Sequence, residues 1–335
     1  MTRAWSQCLR RPHPQGFPVM PTLPIMADNI PNSLRTMLGD SVEVLDWDDR
    51  PDSPALARAV GLITYGHPRV DGALLDRVPA LKVISNHGVG VDHIDVAAAE
   101  ARGIPVGNTP GCLDAATADM TMALLLSFAR NVVCGDAFAR GPGFTHYDPA
   151  VLVGLEVTGS TLGIVGMGRI GKQVARRAQG FEMRILYHNR RRDEAAEQEL
   201  GVEYRSLQEL LAESDFVTLN CPLTPETHQL IGAAEFAQMK PRGVLINMAR
   251  GPVVDHAALY EALSRKQIAG AAIDVTDPEP LPRDHPLLRL ENLVLTPHLG
   301  SASDRTRRRM EEMTVENLLA GLAGQELPYR VRPGR

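Results

Sequence analysis

The chain has 335 residues, 44% of them apolar and 22% charged, with a formal net charge of −5. That length exceeds what one hydrophobic core comfortably spans and points to two domains. The acidic balance argues against a general nucleic-acid or membrane-surface binder, and no apolar run approaches the roughly 18 residues a membrane span requires.

The first 27 residues carry Arg3, Arg10 and Arg11, no acid and five prolines. They lack the apolar stretch of a secretory signal and read as a loose N-terminal extension. Cys8, Cys112, Cys134 and Cys221 are widely separated, without CxxC spacing. Neither a metal site nor a disulfide framework is expected, only reduced thiols in a cytoplasmic protein. Residues 62–64 and 81–85 read as short buried strands, and VDGALLDRV between them as a helix, which makes a small α/β unit. Residues 115–130, AATADMTMALLLSFAR, predict a long helix, apolar on most faces and therefore buried between domains or subunits. The stretch RGPGFTHYDP after it reads as a loop.

From Thr161 strands and helices alternate. TLGIVG, RILYHN, FVTLNCP, GVLINMA, IAGAAIDV and LVLTPH are apolar runs bounded by turn residues, with helices such as KQVARRAQGF and AALYEALSRK between them. Parallel strands joined by helices make a doubly wound sheet. The final segment, RTRRRMEEMTVENLLAGLAG, predicts an amphipathic helix that returns to the first unit.

The turn GMGRIG, residues 166–171, joins the first of these strands to its helix, the context in which GxGxxG binds a dinucleotide. Gly166 permits the tight turn, Gly168 lets the backbone approach a pyrophosphate, and Gly171 lets helix and strand pack closely. Met167, Arg169 and Ile170 complete the turn, and the helix N-terminus offers free N–H groups. About 20 residues on, an acid normally binds the adenosine ribose. Here stand His188, Asn189, Arg190, Arg191 and Arg192. A 2′-phosphate repels an acid and pairs with arginine through charge-assisted hydrogen bonds. The expected cofactor is NADP(H), with Arg190 the first contact and Arg191 or Arg192 the second; NAD(H) with a solvated basic loop is the alternative.

Three ionisable residues follow successive strands, where open α/β sheets bind ligands. They are Arg250 in NMARG, Glu279 in DVTDPEPLP and His298 in TPHLGSAS. Hydride delivered to a ketone carbon creates an alkoxide that needs a proton, and histidine is the natural acid near neutral pH. A carboxylate beside it stabilises imidazolium. An arginine holds an α-keto acid carboxylate and polarises its carbonyl. His67 and Arg69, in TYGHPRVDG, could also reach the cleft, whereas His87 and His93 suit structural roles.

Residues 81–322 resemble the D-2-hydroxyacid dehydrogenase family. Within it, DVTDPEPLPRDHPLL, TPHLGSASDRTRRRM and the basic run after the second cofactor strand are similar to glyoxylate/hydroxypyruvate reductases. The resemblance implies a Rossmann cofactor domain, residues 115–299, inserted in a smaller flavodoxin-like α/β substrate domain, residues 1–114 plus 300–335. It implies that Arg250, Glu279 and His298 are the catalytic Arg, Glu and His. Asp274 matches the aspartate near the nicotinamide. Val89 and Gly90, in NHGVGVDHID, match the loop whose N–H groups bind the substrate carboxylate. Gly300 and Ser301 line the substrate, and Thr117, Pro222 and Met248 face the cofactor. It implies a homodimer, formed through the region of the 115–130 helix, and reduction of a small 2-keto acid such as glyoxylate or hydroxypyruvate. The alternatives are a longer sugar acid such as 2-ketogluconate, a phosphorylated hydroxyacid, or a dinucleotide-sensing, corepressor-like interaction protein. Two departures stand out: Asp119 where the family often has Glu, and a proline-rich FPVMPTLPIMADN that suits a first strand poorly.

Overall fold

The computed structural model describes residues 22–332 and holds two parallel sheets with helices on their faces. The first contains β1 (Leu23–Ala27), β2 (Val42–Asp46), β3 (Gly61–Thr64), β4 (Val83–Asn86) and β5 (Val106–Gly107), in the order β2-β1-β3-β4-β5. That is the flavodoxin-like order. The second contains β6 (Thr161–Val165), β7 (Arg184–His188), β8 (Glu203–Tyr204), β9 (Phe216–Leu219), β10 (Val244–Asn247), β11 (Gly270–Ile273) and β12 (Leu293–Leu295). Its order is β12-β11-β10-β9-β6-β7-β8, so the winding reverses between β6 and β9. This is the doubly wound dinucleotide-binding order, and the crevice at that switch point is where such sheets take ligands.

The continuous apolar runs arise because helices cover both faces of each sheet. Ile164, Tyr187, Phe216 and Ile246 pack on one side of the second sheet. Val165, Leu186, Val217 and Leu245 pack on the other. Adjacent residues of one strand thus serve two cores, which period-two geometry requires.

Two expectations are corrected. The proline-bearing segment does form a strand: β1 lies between β2 and β3, with Ile25, Met26 and Ala27 almost fully buried. Pro24 stands near its start, where the missing N–H matters least, and its carbonyl still accepts from Val60 N at 2.8 Å. Residues 1–21 of the predicted extension, with Cys8, lie outside the described residues. The helix expected in VDGALLDRV shrinks to one turn, Gly72–Leu75, capped by Asp71. The helix Asp114–Ala129 packs against the second sheet of its own chain and brings Thr117 to the cavity between the sheets. Its Asp119 pairs with Arg177 at 2.6 Å, tying it to the helix Arg169–Gln179.

The C-terminal helix, Asp304–Leu322, does return to the first sheet, where Val315, Leu318 and Leu322 pack with Ile25, Ile63 and Val83. Among the described residues no single helix is long and apolar enough to cross a membrane. Cys112, Cys134 and Cys221 are free thiols. No group of three or more His, Cys, Asp or Glu side chains among the described residues is placed to hold a metal ion.

Candidate active site

The glycine turn is shaped for a pyrophosphate. Gly166 has φ +101°, and a Cβ there would meet the Cys221 nitrogen at 2.6 Å. Gly171 sits against the Gly166 carbonyl with no room for a side chain, whereas Gly168 faces open space. Gly168 also caps the helix Arg169–Gln179 without any side-chain hydrogen bond, so the helix N-terminus presents N–H groups to that space. These are the features a dinucleotide's phosphates need, and the residues present fit that group. Met167 N donates to Asn189 Oδ1 at 2.8 Å, so Asn189 braces the turn from the end of β7. Arg169 pairs with Asp114 at 3.2 Å. Arg190 and Arg191 are exposed and have no ion-pair partner among the described residues. Arg192 is already engaged by Glu197 through two bonds of 2.7 Å. The run thus separates into two free arginines and one committed one. Pro222 is exposed after β9, and its carbonyl accepts from Thr227 Oγ1 at 2.6 Å.

Between the sheets lies a cavity of about 320 Å³. The structure brings Val89, Gly90, Thr117, Ile170 and Met248 to its wall, together with Arg250, Asp274, Glu279, His298, Gly300 and Ser301. The loop after β4 is pinned from behind. Asn86 Nδ2 donates to the Gly88 and Gly90 carbonyls at 3.0 and 2.8 Å, and Asn108 Nδ2 to the Val89 carbonyl at 2.8 Å. Among the described residues the Val89 and Gly90 N–H groups have no acceptor. They form a small concavity of free donors suited to a carboxylate. Arg250 lies directly over it: a Cβ on Gly90 would overlap the guanidinium.

Arg250 leaves β10 through a turn shaped by Asn247, whose Oδ1 accepts from Ala249 N and whose Nδ2 donates to the Arg250 carbonyl, both at 3.0 Å. Its Nε donates to Asp92 Oδ1 at 3.0 Å and one terminal nitrogen to the Ala249 carbonyl at 2.9 Å. Burial pushes the Asp92 carboxyl up, but the Arg250 charge and hydrogen bond outweigh it and hold Asp92 below the usual carboxylate range. His298 Nδ1 lies 2.6 Å from Glu279 Oε1. An ionised carboxylate only accepts, so Nδ1 carries the proton and Nε2 is left for the ligand. Burial raises the Glu279 carboxyl while the His298 contacts lower it, with a net shift downward.

His298 has φ +56°, a backbone conformation that non-glycine residues rarely adopt and that has to be held by its surroundings. Asp274, 2% exposed, holds it. Its backbone carbonyl accepts from His298 N at 2.9 Å. Its carboxylate accepts from Leu299 N and Gly300 N, each at 2.7 Å, and from Thr296 Oγ1 at 2.6 Å. Asp274 therefore organises the loop that carries the histidine, besides lining the cavity.

Of the further candidates, His67 enters the cavity, with its ring centroid 5.7 Å from that of His298 and 4.9 Å from that of His93. Burial, then the Arg250 charge, pushes its imidazole down to about 4. Arg69 is not among the residues that line the cavity and pairs with Asp71 at 3.3 Å. His87 is buried, with Nδ1 3.2 Å from Thr314 Oγ1. Two residues escaped sequence reasoning. Asp92 had a faint signal, an acid two positions after Gly90. Arg307 was hidden in a basic helix run, yet it lines the cavity.

Comparison with known proteins gives the family. The family model described as "D-isomer specific 2-hydroxyacid dehydrogenase, NAD binding domain" matches residues 122–300. The chain belongs to the D-isomer specific 2-hydroxyacid dehydrogenase family. It is thereby an oxidoreductase of 2-hydroxy acids with a nicotinamide-dinucleotide-binding domain. It is 51% identical to a glyoxylate reductase of Korarchaeum cryptofilum over 78% of this chain and 79% of that one. It is 45% identical to the glyoxylate reductase of Pyrococcus furiosus over 90% and 93% of the two chains. Among solved structures, a Thermus thermophilus protein superposes with TM-score 0.84 at 47% identity, covering 92% of this chain and all of that one. An NADPH-dependent glyoxylate/hydroxypyruvate reductase of Sinorhizobium meliloti, in complex with NADP and malonate, superposes with TM-score 0.84 at 33% identity, covering 92% and 97%.

Proposed function

We propose that this protein reduces a small 2-keto acid, glyoxylate or hydroxypyruvate, to the D-2-hydroxy acid at the expense of NADPH. The observation that carries the reading is the convergence of a free-donor loop, an arginine and a Glu-His pair on one cavity beside a dinucleotide turn. Bound at that turn, the cofactor supplies hydride. The chain does the rest. The Val89 and Gly90 N–H groups and Arg250 hold the substrate carboxylate, and Arg250 also polarises the carbonyl. His298 Nε2–H gives its proton to the oxygen as negative charge develops there. Glu279 keeps Nδ1–H in place and stabilises the imidazolium beforehand.

NADPH preference rests on Arg190 and Arg191, free to pair with a 2′-phosphate, where an acid would select NAD(H). Arg192, engaged by Glu197, contributes mainly to the local field. Among the described residues, 22–114 and 300–332 make up the substrate domain and 115–299 the cofactor domain, with the cavity at their junction. The protein acts as a homodimer. The surface that suits this is the arm after the Asp114–Ala129 helix, which exposes Val132, Val133, Phe144, Tyr147 and Val153.

The test follows absorbance at 340 nm with glyoxylate and hydroxypyruvate, using NADPH and NADH in parallel. Arg190→Ala raises KM for NADPH well beyond that for NADH, and His298→Ala abolishes turnover while NADPH still binds. Equal effects on both cofactors refute the arginine argument, and unchanged turnover in His298→Ala refutes the proton donor.

A further inference from the structure

Glu279 stands on an open loop after β11, with 40% of its side chain exposed, so burial does not fix where its carboxylate points. The torsions of a long acidic side chain are free in water, and hydrogen bonds have to hold them. Oε1 lies 2.6 Å from His298 Nδ1. Oε2 accepts from Thr276 N at 3.2 Å. Thr276 is 8% exposed, and its hydroxyl donates to the Pro278 carbonyl at 2.9 Å. That bond closes a tight turn over residues 276–278 and sets the direction in which Glu279 leaves it. Two neighbours hold the turn in place. Gly251, which follows Arg250, packs on the Thr276 carbonyl with no room for a Cβ. His256, the first residue of the helix His256–Ser264, places Nδ1 3.0 Å from the Asp277 carbonyl oxygen. Thr276 therefore sits where the loop of the glutamate meets the turn of the arginine, yet it is not among the residues that line the cavity.

We propose that Thr276 is a positioning residue for proton delivery: its hydroxyl shapes the turn that aims Glu279 at His298, and so holds Nε2 of the histidine toward the substrate oxygen. The inference rests on the reductase reading above and adds to it a residue that acts only through Glu279. The Thr276 N–H belongs to the backbone and survives most substitutions, so the hydroxyl is what the side chain contributes. Serine keeps that donor, whereas valine keeps the branched shape and loses it. Without the bond to Pro278 the exposed loop gains freedom, and Glu279 samples orientations in which His298 Nδ1 has no partner. The cost falls on proton transfer. Cofactor binding at the glycine turn, and substrate anchoring by Val89, Gly90 and Arg250, use other groups.

The experiment follows NADPH oxidation with glyoxylate and hydroxypyruvate, in water and in heavy water, on the full-length protein. The variants are Thr276→Val, Thr276→Ser, Glu279→Gln and the double variant Thr276→Val with Glu279→Gln. Thr276→Val is expected to lower kcat about three- to tenfold, the scale of one hydrogen bond, with KM for NADPH and for the keto acid within about twofold of wild type. Its solvent isotope effect on kcat should rise, because a misaimed histidine slows proton transfer relative to the other steps. Thr276→Ser should stay within about twofold of wild type, and Thr276→Val should add little to Glu279→Gln, since both act through one carboxylate. Melting temperatures show that each variant is folded, and Thr276→Ala against Thr276→Ser makes the same comparison should the valine variant not fold. Wild-type kcat and isotope effect in Thr276→Val, an equal loss in Thr276→Ser, or full additivity with Glu279→Gln overturns the role while the reductase reading stands. If wild type reduces neither acid with NADPH or NADH, the reductase reading fails, and the role with it.

Discussion

Replacing Gly90 by Ala is expected to dislodge Arg250 from the substrate loop. The new Cβ would coincide with a terminal nitrogen of the guanidinium and lie 2.9 Å from its central carbon and from Asp92 Oδ1. The obstacle is the end of a flexible side chain, so the fold survives and the arginine moves. To move, it gives up the 3.0 Å bond to Asp92 and the 2.9 Å bond to the Ala249 carbonyl, and leaves the position above the Val89 and Gly90 N–H groups. One charge-assisted hydrogen bond to a carboxylate is worth about 1.5–3 kcal/mol. At about 1.4 kcal/mol per decade, kcat/KM for the keto acid should fall about 10- to 100-fold, mainly through KM. Initial rates at 340 nm measure this, with KM for NADPH and the melting temperature as controls for the turn and the fold. Arg250→Gln should cost at least as much, and the double variant little more than Arg250→Gln alone, because both changes remove the same contact. A KM for Gly90→Ala within twofold of wild type, or additive losses in the double variant, would show that Arg250 does not act above this loop.

Three further outcomes are expected. In Glu279→Gln the His298 ring loses its carboxylate partner at 2.6 Å, so kcat for reduction should fall about tenfold or more while KM for NADPH is kept; wild-type turnover refutes the Glu-His coupling. The buried imidazole of His87 is held at about 3, against 6.5 for a free histidine. The unfolded chain therefore takes up its proton first, and the stability involved is full above 6.5 and is lost as pH falls toward 3. The melting temperature should decline across that window, less steeply in His87→Gln, and equal slopes refute the assignment. Tyr147, 82% exposed on the apolar arm, should become a point of repulsion as Asp. Sedimentation is then expected to shift from dimer toward monomer, and a monomeric wild type at micromolar concentration refutes the arm as an interface.

Six of the seven strands of the second sheet were legible because they are apolar runs bounded by turn residues, whereas the two-residue edge strand β8, Glu203–Tyr204, carries no such run. The first sheet was half legible. VEVLD, which forms β2, alternates weakly and lies near the edge, and β1 was masked by its prolines until the burial of Ile25 to Ala27 showed what outweighs them. Long apolar composition in 115–130 announced burial but not the partner, because burial leaves the same pattern whether a helix meets its own sheet or another subunit.

By itself the sequence marked the residues on which the proposed chemistry rests: a glycine turn, a basic run where a ribose-binding acid is usual, and Arg250, Glu279 and His298 on successive strand ends. These are local signals, carried by a few adjacent residues and their distance from a strand. The tertiary structure alone decided which groups pair and which remain free. Asp92 meets Arg250 across 158 positions, and Arg192 is withdrawn from its run by Glu197. Arg307, one basic residue among several on a helix, faces the cavity because that helix returns to the first sheet. Pairing depends on where distant segments are packed, and composition along the chain carries no record of that distance.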